Sequence, residues 1–253
     1  MTEPWHPELD RGVFETLLAV DGEPVELEAH LARIDASLRR LFDRPLPERA
    51  VAAVRGAARS LDLGRVRLTV APDAGGDLAT DVTSAAVERD VVLPRWERAL
   101  ELRQLTVPGG IGAEKWADRS LLATAEAEAR PSLPLVVDRD GTLLEASRGN
   151  VFLVADGALA TPPAEGRILP GVARGRVLEL ARALGFETRE TPLASADVER
   201  ADEVFVTGSV RGVEPVRAVV GLRRWEPGPV TATLAASLGE RWLGSRRGRS
   251  LSL

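Results

Sequence analysis

The sequence predicts a mixed α/β protein of the α+β kind, built as two domains. Three observations lead there. Residues 12–60 pair one long apolar strand with two segments of helical period. Residues 107–112 interrupt all periodicity with Pro and Gly. Residues 134–161 hold short apolar runs parted by Asp-Gly turns, which suits a pseudo-barrel better than a doubly wound sheet. The division expected is a small α+β domain over 1–106 and a larger pseudo-barrel domain over 107–253. With 253 residues, 44% of them apolar, the chain can bury an ordinary core.

Each element has its own local reason. GVFETLLAV at 12–20 reads as a buried strand, Asp21-Gly22 as a hairpin turn and 25–27 as the return strand. Leu31, Ile34, Leu38 and Leu41 recur at 3-4-3 spacing, one apolar stripe, so a helix covers 28–42. A second helix fits 47–60, opened by Pro47. Strands are expected at 65–71, 86–93 and 99–107. Beyond the Gly-rich break, a helix over 116–130 turns Leu121, Leu122 and Ala125 inward. Short strands follow at 134–138, 142–145, 150–155 and 158–161, joined in part by Asp140-Gly141 and Asp156-Gly157. A helix over 171–184 starts after Pro170 and stops at Gly185. Strands at 186–191 and 203–207, a short helix at 194–200 and a helix at 229–243 complete the series.

Composition narrows the function classes. Lys plus Arg is 33 and Asp plus Glu is 38, a net charge of −5, which argues against a nucleic-acid coat or an anionic membrane surface as partner. With no Cys, disulfides, thiolate zinc sites and Cys nucleophiles are excluded, and two histidines, His6 and His30, argue against a multi-histidine metal site. No apolar run approaches the roughly 20 residues of a membrane span, and MTEPWHPELD lacks the pattern of a signal peptide, so a cytoplasmic protein is expected.

One census line points to chemistry. Of the 33 basic residues, 32 are Arg, and the single Lys is Lys115. Where composition drifts from Lys to Arg, a position that stays Lys is a candidate for what a guanidinium cannot do: lose a proton and act as an amine nucleophile. Lys115 follows the Gly-rich break and precedes a helix, at the expected domain junction, where small-molecule sites tend to form. Burial there would lower its pKa from about 10.4 and equip it for Schiff-base chemistry with an aldehyde. A solvated lysine at a helix start is the ordinary alternative.

An aldehyde cofactor with a phosphate and a ring nitrogen needs three more parts. Gly166-Arg167-Ile168-Leu169-Pro170-Gly171-Val172-Ala173 leads into a helix whose first amides could hold an anion. Glu145 ends a strand, where a carboxylate could face a ring nitrogen. Thr207-Gly208-Ser209 leaves another strand with amides and hydroxyls to offer. Arg33 lies beside the apolar stripe of its helix, placed to bury its stem and present its head to phosphate.

Taken in order, RGVFETLL (11–18), HLARIDASLRRL (30–41), EKWADRSLL (114–122), EASRGNVFLV (145–154), TPPAEGRILPGVARGRVLELA (161–181) and ADEVFVTGSVRGVEPV (201–216) resemble the fold-type IV pyridoxal-phosphate enzymes. That family holds branched-chain and D-amino-acid aminotransferases and 4-amino-4-deoxychorismate lyase. The resemblance implies a pyridoxal 5'-phosphate cofactor bound by Lys115, with Glu145 at the pyridine nitrogen and Leu169 on the ring. It implies a phosphate held by Arg33, Gly171, Val172, Ala173, Gly208 and Ser209, with Asn150 beside the site. Phe14, Val210 and Arg211 are implied as substrate contacts. Ala173 replaces the Thr often found there, which leaves backbone amides to do more of the holding. Branched-chain aminotransferases usually carry a Tyr five residues after the lysine; here that residue is Ser120, and the chain has no Tyr. Lys115-Trp116-Ala117-Asp118-Arg119 is similar to the Lys-x-x-x-Arg pattern of the lyase. The expectation is therefore a lyase releasing 4-aminobenzoate and pyruvate in the folate branch. An aminotransferase acting on D-amino or branched-chain amino acids is the alternative. A homodimer acting on a small molecule is implied, with an aminodeoxychorismate synthase as a further partner and no metal, nucleic acid or membrane.

Overall fold

The computed structural model describes residues 3–244. β1 (Val13–Val20) and the short β2 (Glu23–Pro24) form a hairpin, followed by α1 (Leu27–Phe42), α2 (Arg49–Ala58), β3 (Leu63–Pro72) and β4 (Leu78–Ala86). The four strands make an antiparallel sheet in the order β2-β1-β3-β4. Alternation gives it two faces. Val13, Leu17 and Ala19 of β1 join Val66, Leu68 and Val70 of β3 under the helices, against Ile34, Leu38 and Val54. The register pairs Phe14 with Thr69 and Thr16 with Arg67, so these side chains share the opposite face.

A linker over 87–99 with two short 3-10 turns leads to β5 (Leu100–Thr106), α3 (Ser120–Ala129), β6 (Leu133–Val137), β7 (Thr142–Ala146), β8 (Asn150–Ala155), β9 (Ala158–Thr161) and α4 (Val172–Ala183). Then come β10 (Thr188–Glu190), β11 (Leu193–Ala194), α5 (Ser195–Arg200), β12 (Glu203–Gly208), β13 (Gly212–Val219), β14 (Arg223–Arg224) and α6 (Pro229–Leu243). The second sheet runs β10-β9-β8-β12-β13-β5-β6-β7-β11, with β14 on β13. It curls so far that the turn after β7 closes with an Ala146–Gly149 bridge at the head of β8. Phe152 and Phe205 stack inside it at 4.9 Å between ring centroids. Among the described residues no helix is long and apolar enough to cross a membrane.

Four expectations are corrected. No strand lies at 87–93, where the chain makes a 3-10 turn; the strand of this region is β4, ending at Ala86, an edge strand with one buried residue, Leu78, that leaves no apolar run to read. β5 pairs with β13 and β6, which puts 100–106 in the large sheet and the change of sheet in the 87–99 linker rather than at 107. β13 was not expected at all, and it carries Pro215, a residue unusual in a central strand; its pairing with β5 begins only at Val216, so the missing N–H is not needed on that side. The helix expected from Trp116 begins at Ser120, because residues 115–117 are held by β1 instead. Phe14 N–H donates to Lys115 O at 2.8 Å, Ala117 N–H donates to Gly12 O at 3.0 Å, and Val13 bridges Trp116.

That strap needs glycine at its root. Gly12 has φ +69°, and a Cβ there would lie 2.0 Å from Val70 O, a backbone atom that cannot step aside. We predict that Gly12→Ala lowers stability by on the order of 3 kcal/mol. Gly109→Ala, at φ +75° with nothing within 4 Å, should cost only about 1–2 kcal/mol. Urea titration of both variants checks this, and equal losses would refute the steric account.

Candidate active site

Lys115 is half-buried at the end of the strap, with Nζ 5.0 Å from the centroid of the Phe14 ring. Burial lowers its pKa to about 8; the Arg33 and Arg119 charges push the same way, while Glu15 and Glu145 oppose. An appreciable part of the amine is therefore neutral near physiological pH.

Glu145, on β7, shares an inner void with Lys115, Leu169 and Trp5. Its side chain is buried, and its only hydrogen bonds among the described residues are long ones, 3.3 and 3.4 Å, from Leu169 N–H. Burial drives the carboxyl up to about 8, against the Leu169 N–H and the Lys115 charge. A buried carboxyl with one weak donor is an incomplete site, and a protonated nitrogen on a bound ring would fit it.

The anion end is built where α4 starts. The first amides of a helix have no carbonyl of their own to donate to. Gly171 caps α4, and a Cβ on it would lie 2.0 Å from Asn150 Oδ1, so a side chain there would displace the Asn150 amide. Asn150 Nδ2 donates to Leu169 O at 2.9 Å; its side chain braces the loop that carries Leu169 and Gly171. Ala173 is buried in the large core, which leaves its backbone amide to face an anion. Arg33 reaches across from α1 and donates through NH1 to Pro170 O at 3.0 Å, beside the same helix start. A phosphate group fits this combination of amides, cation and glycine.

Gly208, Ser209, Val210 and Arg211 follow from β12 and line a cleft of ≈ 740 Å³ together with Phe14 and Lys115. Arg33, Asn150, Val172 and Ala173 do not line that cleft; they lie at α4 or behind its entry loop. Ser120 is exposed at the start of α3 and lines neither space.

Sequence reasoning missed Arg65, Arg67, Arg148, Glu214 and Trp5. Arg67 stands out. Its guanidinium sits 3.7 Å from the Phe14 ring centroid, half-buried, with no ion pair or hydrogen bond among the described residues. The signal was present in GRVRLTV, where alternation puts Arg65 and Arg67 on the face away from the buried valines. Elsewhere in the cleft, Arg119 donates to Ser147 O at 2.7 Å, Arg148 pairs with Glu126 at 2.7 Å, and Arg211 pairs with buried Glu214 at 3.2 Å. The assembled chemistry is a titratable amine that shares a void with a buried carboxyl and faces a cation-lined cleft, with a separate anion cradle at the start of α4.

The family described as amino-transferase class IV matches residues 12–219. The branched-chain-amino-acid aminotransferase of Escherichia coli (strain K12) is 35% identical over 185 residues, 67% of this chain and 58% of that enzyme. The chain thus spans less than two thirds of that relative's length. The crystal structure of 4-amino-4-deoxychorismate lyase from Pseudomonas aeruginosa superposes with a TM-score of 0.78 at 26% identity, covering 92% of each chain. A hypothetical aminotransferase from Mycobacterium tuberculosis, in its PLP-bound form, shares the fold with a TM-score of 0.81 at 24% identity, over 97% of this chain and 96% of that one. With the family match running from the strap residue Gly12 through β13, the chain belongs to the class IV aminotransferases.

Proposed function

We propose that this enzyme is a lyase that converts 4-amino-4-deoxychorismate to 4-aminobenzoate and pyruvate. The observation that carries the reading is the charge of the cleft beside Lys115. Arg65, Arg67, Arg119, Arg148 and Arg211 line it against Glu88, Glu126 and Glu214. A substrate with two carboxylates suits such a wall, whereas a branched aliphatic side chain would desolvate guanidiniums without pairing them. The solved lyase among the structural neighbours supports the same choice.

The cofactor is pyridoxal 5'-phosphate. When bound, it supplies an aldehyde that takes up the substrate amine and a ring that accepts electrons. Lys115 is the residue to tether it, Glu145 to hold a proton at the ring nitrogen, and Leu169 to pack on the ring. The α4 amides and Arg33 are the groups to hold its phosphate. Lys115 Nζ, in its neutral form, then removes the proton from the substrate carbon that bears nitrogen. Arg67 and Arg211 orient the carboxylates, Arg211 exchanging Glu214 for substrate. The carbon–oxygen bond to the enolpyruvyl group breaks, that group takes one proton at its methylene, and the carbocycle becomes aromatic; no oxidant or reductant is needed.

A second reading rests on the Escherichia coli relative: an aminotransferase, for which the same guanidiniums would receive a dicarboxylic amino-group partner. A homodimer, and supply of substrate by a synthase partner, belong to the proposal as well.

With the purified holoenzyme and aminodeoxychorismate, we expect 4-aminobenzoate and pyruvate in equal amounts by chromatography, with turnover falling at least about a thousandfold in Lys115→Ala. Rapid amino exchange from D-alanine or a branched-chain amino acid, with no 4-aminobenzoate formed, would overturn the lyase reading.

The cofactor-free protein gives a separate check on Glu145. Its folded pKa, about 8, lies above the ordinary 4.5, so the folded state keeps a proton that the unfolded chain releases. Stability is therefore lost as pH rises from 4.5 through 8. Burial holds His30 below 6.5 and Lys115 down to about 8; both give the opposite slope, His30 at the acid side of 6.5 and Lys115 from near 8 upward, and both groups are present in each of the two proteins compared. Thermal melts of apoprotein from pH 6.5 to 8 should fall more steeply in wild type than in Glu145→Gln. Parallel curves would show that Glu145 is not buried as described.

A further inference from the structure

Glu15 is the most fully buried acid of the small domain, 1% exposed, and it faces away from the substrate cleft. It lies next to Phe14 on β1, so alternation sends it to the helix side, where two residues one turn apart on α1 meet it. Arg33 Nε donates to Oε1 at 2.7 Å, and Arg33 NH2 donates to Oε2 at 2.6 Å. His30 Nδ1 donates to Oε2 at 2.7 Å. A guanidinium has five N–H donors. Glu15 takes two and Pro170 O, just before α4, takes a third, which leaves two uncommitted. Burial opposes the Glu15 charge, yet the Arg33 charge and the hydrogen bonds from His30 and Arg33 bring its pKa down to about 2.

We propose that Glu15 is a positioning residue for the phosphate end of the site: it fixes the Arg33 guanidinium in one plane, with His30 locking the carboxylate, so that the two remaining donors face the start of α4. This rests on Arg33 being a phosphate ligand. It carries a sign that simple electrostatics does not. Removing a negative charge beside an anion site should tighten anion binding if field alone mattered, whereas removing a positioning carboxylate should weaken it. Rigid partners behind a ligand-holding group contribute in this second way elsewhere, on the order of 10–100-fold where metal ligands are concerned.

The test titrates apoprotein with pyridoxal phosphate and, separately, with unphosphorylated pyridoxal, following absorbance of the lysine-bound aldehyde. In Glu15→Gln, affinity for pyridoxal phosphate should fall about tenfold, while affinity for pyridoxal stays within about twofold of wild type, a comparison that a general loss of structure would not preserve. Arg33→Ala should show the same selectivity, larger. If Arg33→Ala weakens pyridoxal phosphate and Glu15→Gln leaves it unchanged or tighter, the positioning role is wrong while the phosphate reading stands. If Arg33→Ala has no effect, the phosphate reading itself fails. Equal loss of both aldehydes in Glu15→Gln would make Glu15 a structural residue only. His30→Phe keeps ring volume without the donor and serves if Glu15→Gln does not fold; about threefold selective weakening supports the proposal, by the same logic of a partner once removed, and none overturns it.

Discussion

The two backbone hydrogen bonds between the start of β1 and the lysine loop fix how the lysine sits against the small domain, and the rest of the site is arranged around it. Phe14 N–H to Lys115 O and Ala117 N–H to Gly12 O hold an otherwise irregular segment as if it were a strand. Because that segment is docked on β1, the alternation of β1 decides what surrounds the amine. Phe14 faces the cleft beneath Nζ, and Glu15, one residue on, faces the helices and clasps Arg33. One strand thus sets the lysine, its aromatic floor and the Arg33 cation beside the start of α4 in a single frame. A frame of main-chain bonds is well suited to this, since positions off by an ångström can weaken catalysis by orders of magnitude.

Within that frame the charges are deliberately not paired off. Lys115 and Glu145 line the same void, but no ion pair joins them among the described residues, and burial shifts each toward its neutral form. A direct salt bridge would have fixed both in their charged states and removed the amine as a base. Arg33 is treated differently: its charge is answered at once by Glu15, so it can stand close to Lys115 while its field at the amine is partly offset. The site holds one neutralised cation for an anion and two uncommitted groups for proton traffic. Burying the uncommitted pair is costly, and under the proposed reading a bound cofactor would offer each of the two groups a partner.

Much of this was legible in the sequence because each part needs a residue that nothing else replaces. Lys115 stands out once arginine has taken every other basic position, and the Pro170-Gly171 helix start announces an approach that a side chain would block. Helices were legible from apolar stripes, and β1 and β8 from unbroken apolar runs. What escaped was set by partners distant in the chain. β4 is an edge strand with little to bury, β13 tolerates Pro215 only because β5 begins to pair one residue later, and β5 joins the large sheet by pairing with strands on both sides. Arg67 escaped because a half-buried arginine in an arginine-rich chain carries no local mark; only the register of β3 against β1 places it over Phe14.

The same composition that hides Arg67 explains how the cleft can be crowded with cations and still perform proton transfer. Five guanidiniums line it, and a guanidinium does not give up its proton at any physiological pH. They can orient carboxylates without competing for the proton that moves. The carboxylates beside them are also engaged: Glu126 accepts from Ser147 and Arg148, and Glu214 is paired with Arg211. Glu88 lies on the linker side of the cleft, beside Val87 and Val91. Among the described groups that line both the inner void and the cleft, Lys115 alone combines a titratable amine with a pKa near 8. Had a second lysine stood at Arg67 or Arg119, its ammonium would have been a point charge able to lose its proton under the same burial. Under the proposed reading, orientation by arginine and proton transfer by one lysine divide the work between groups that cannot exchange roles.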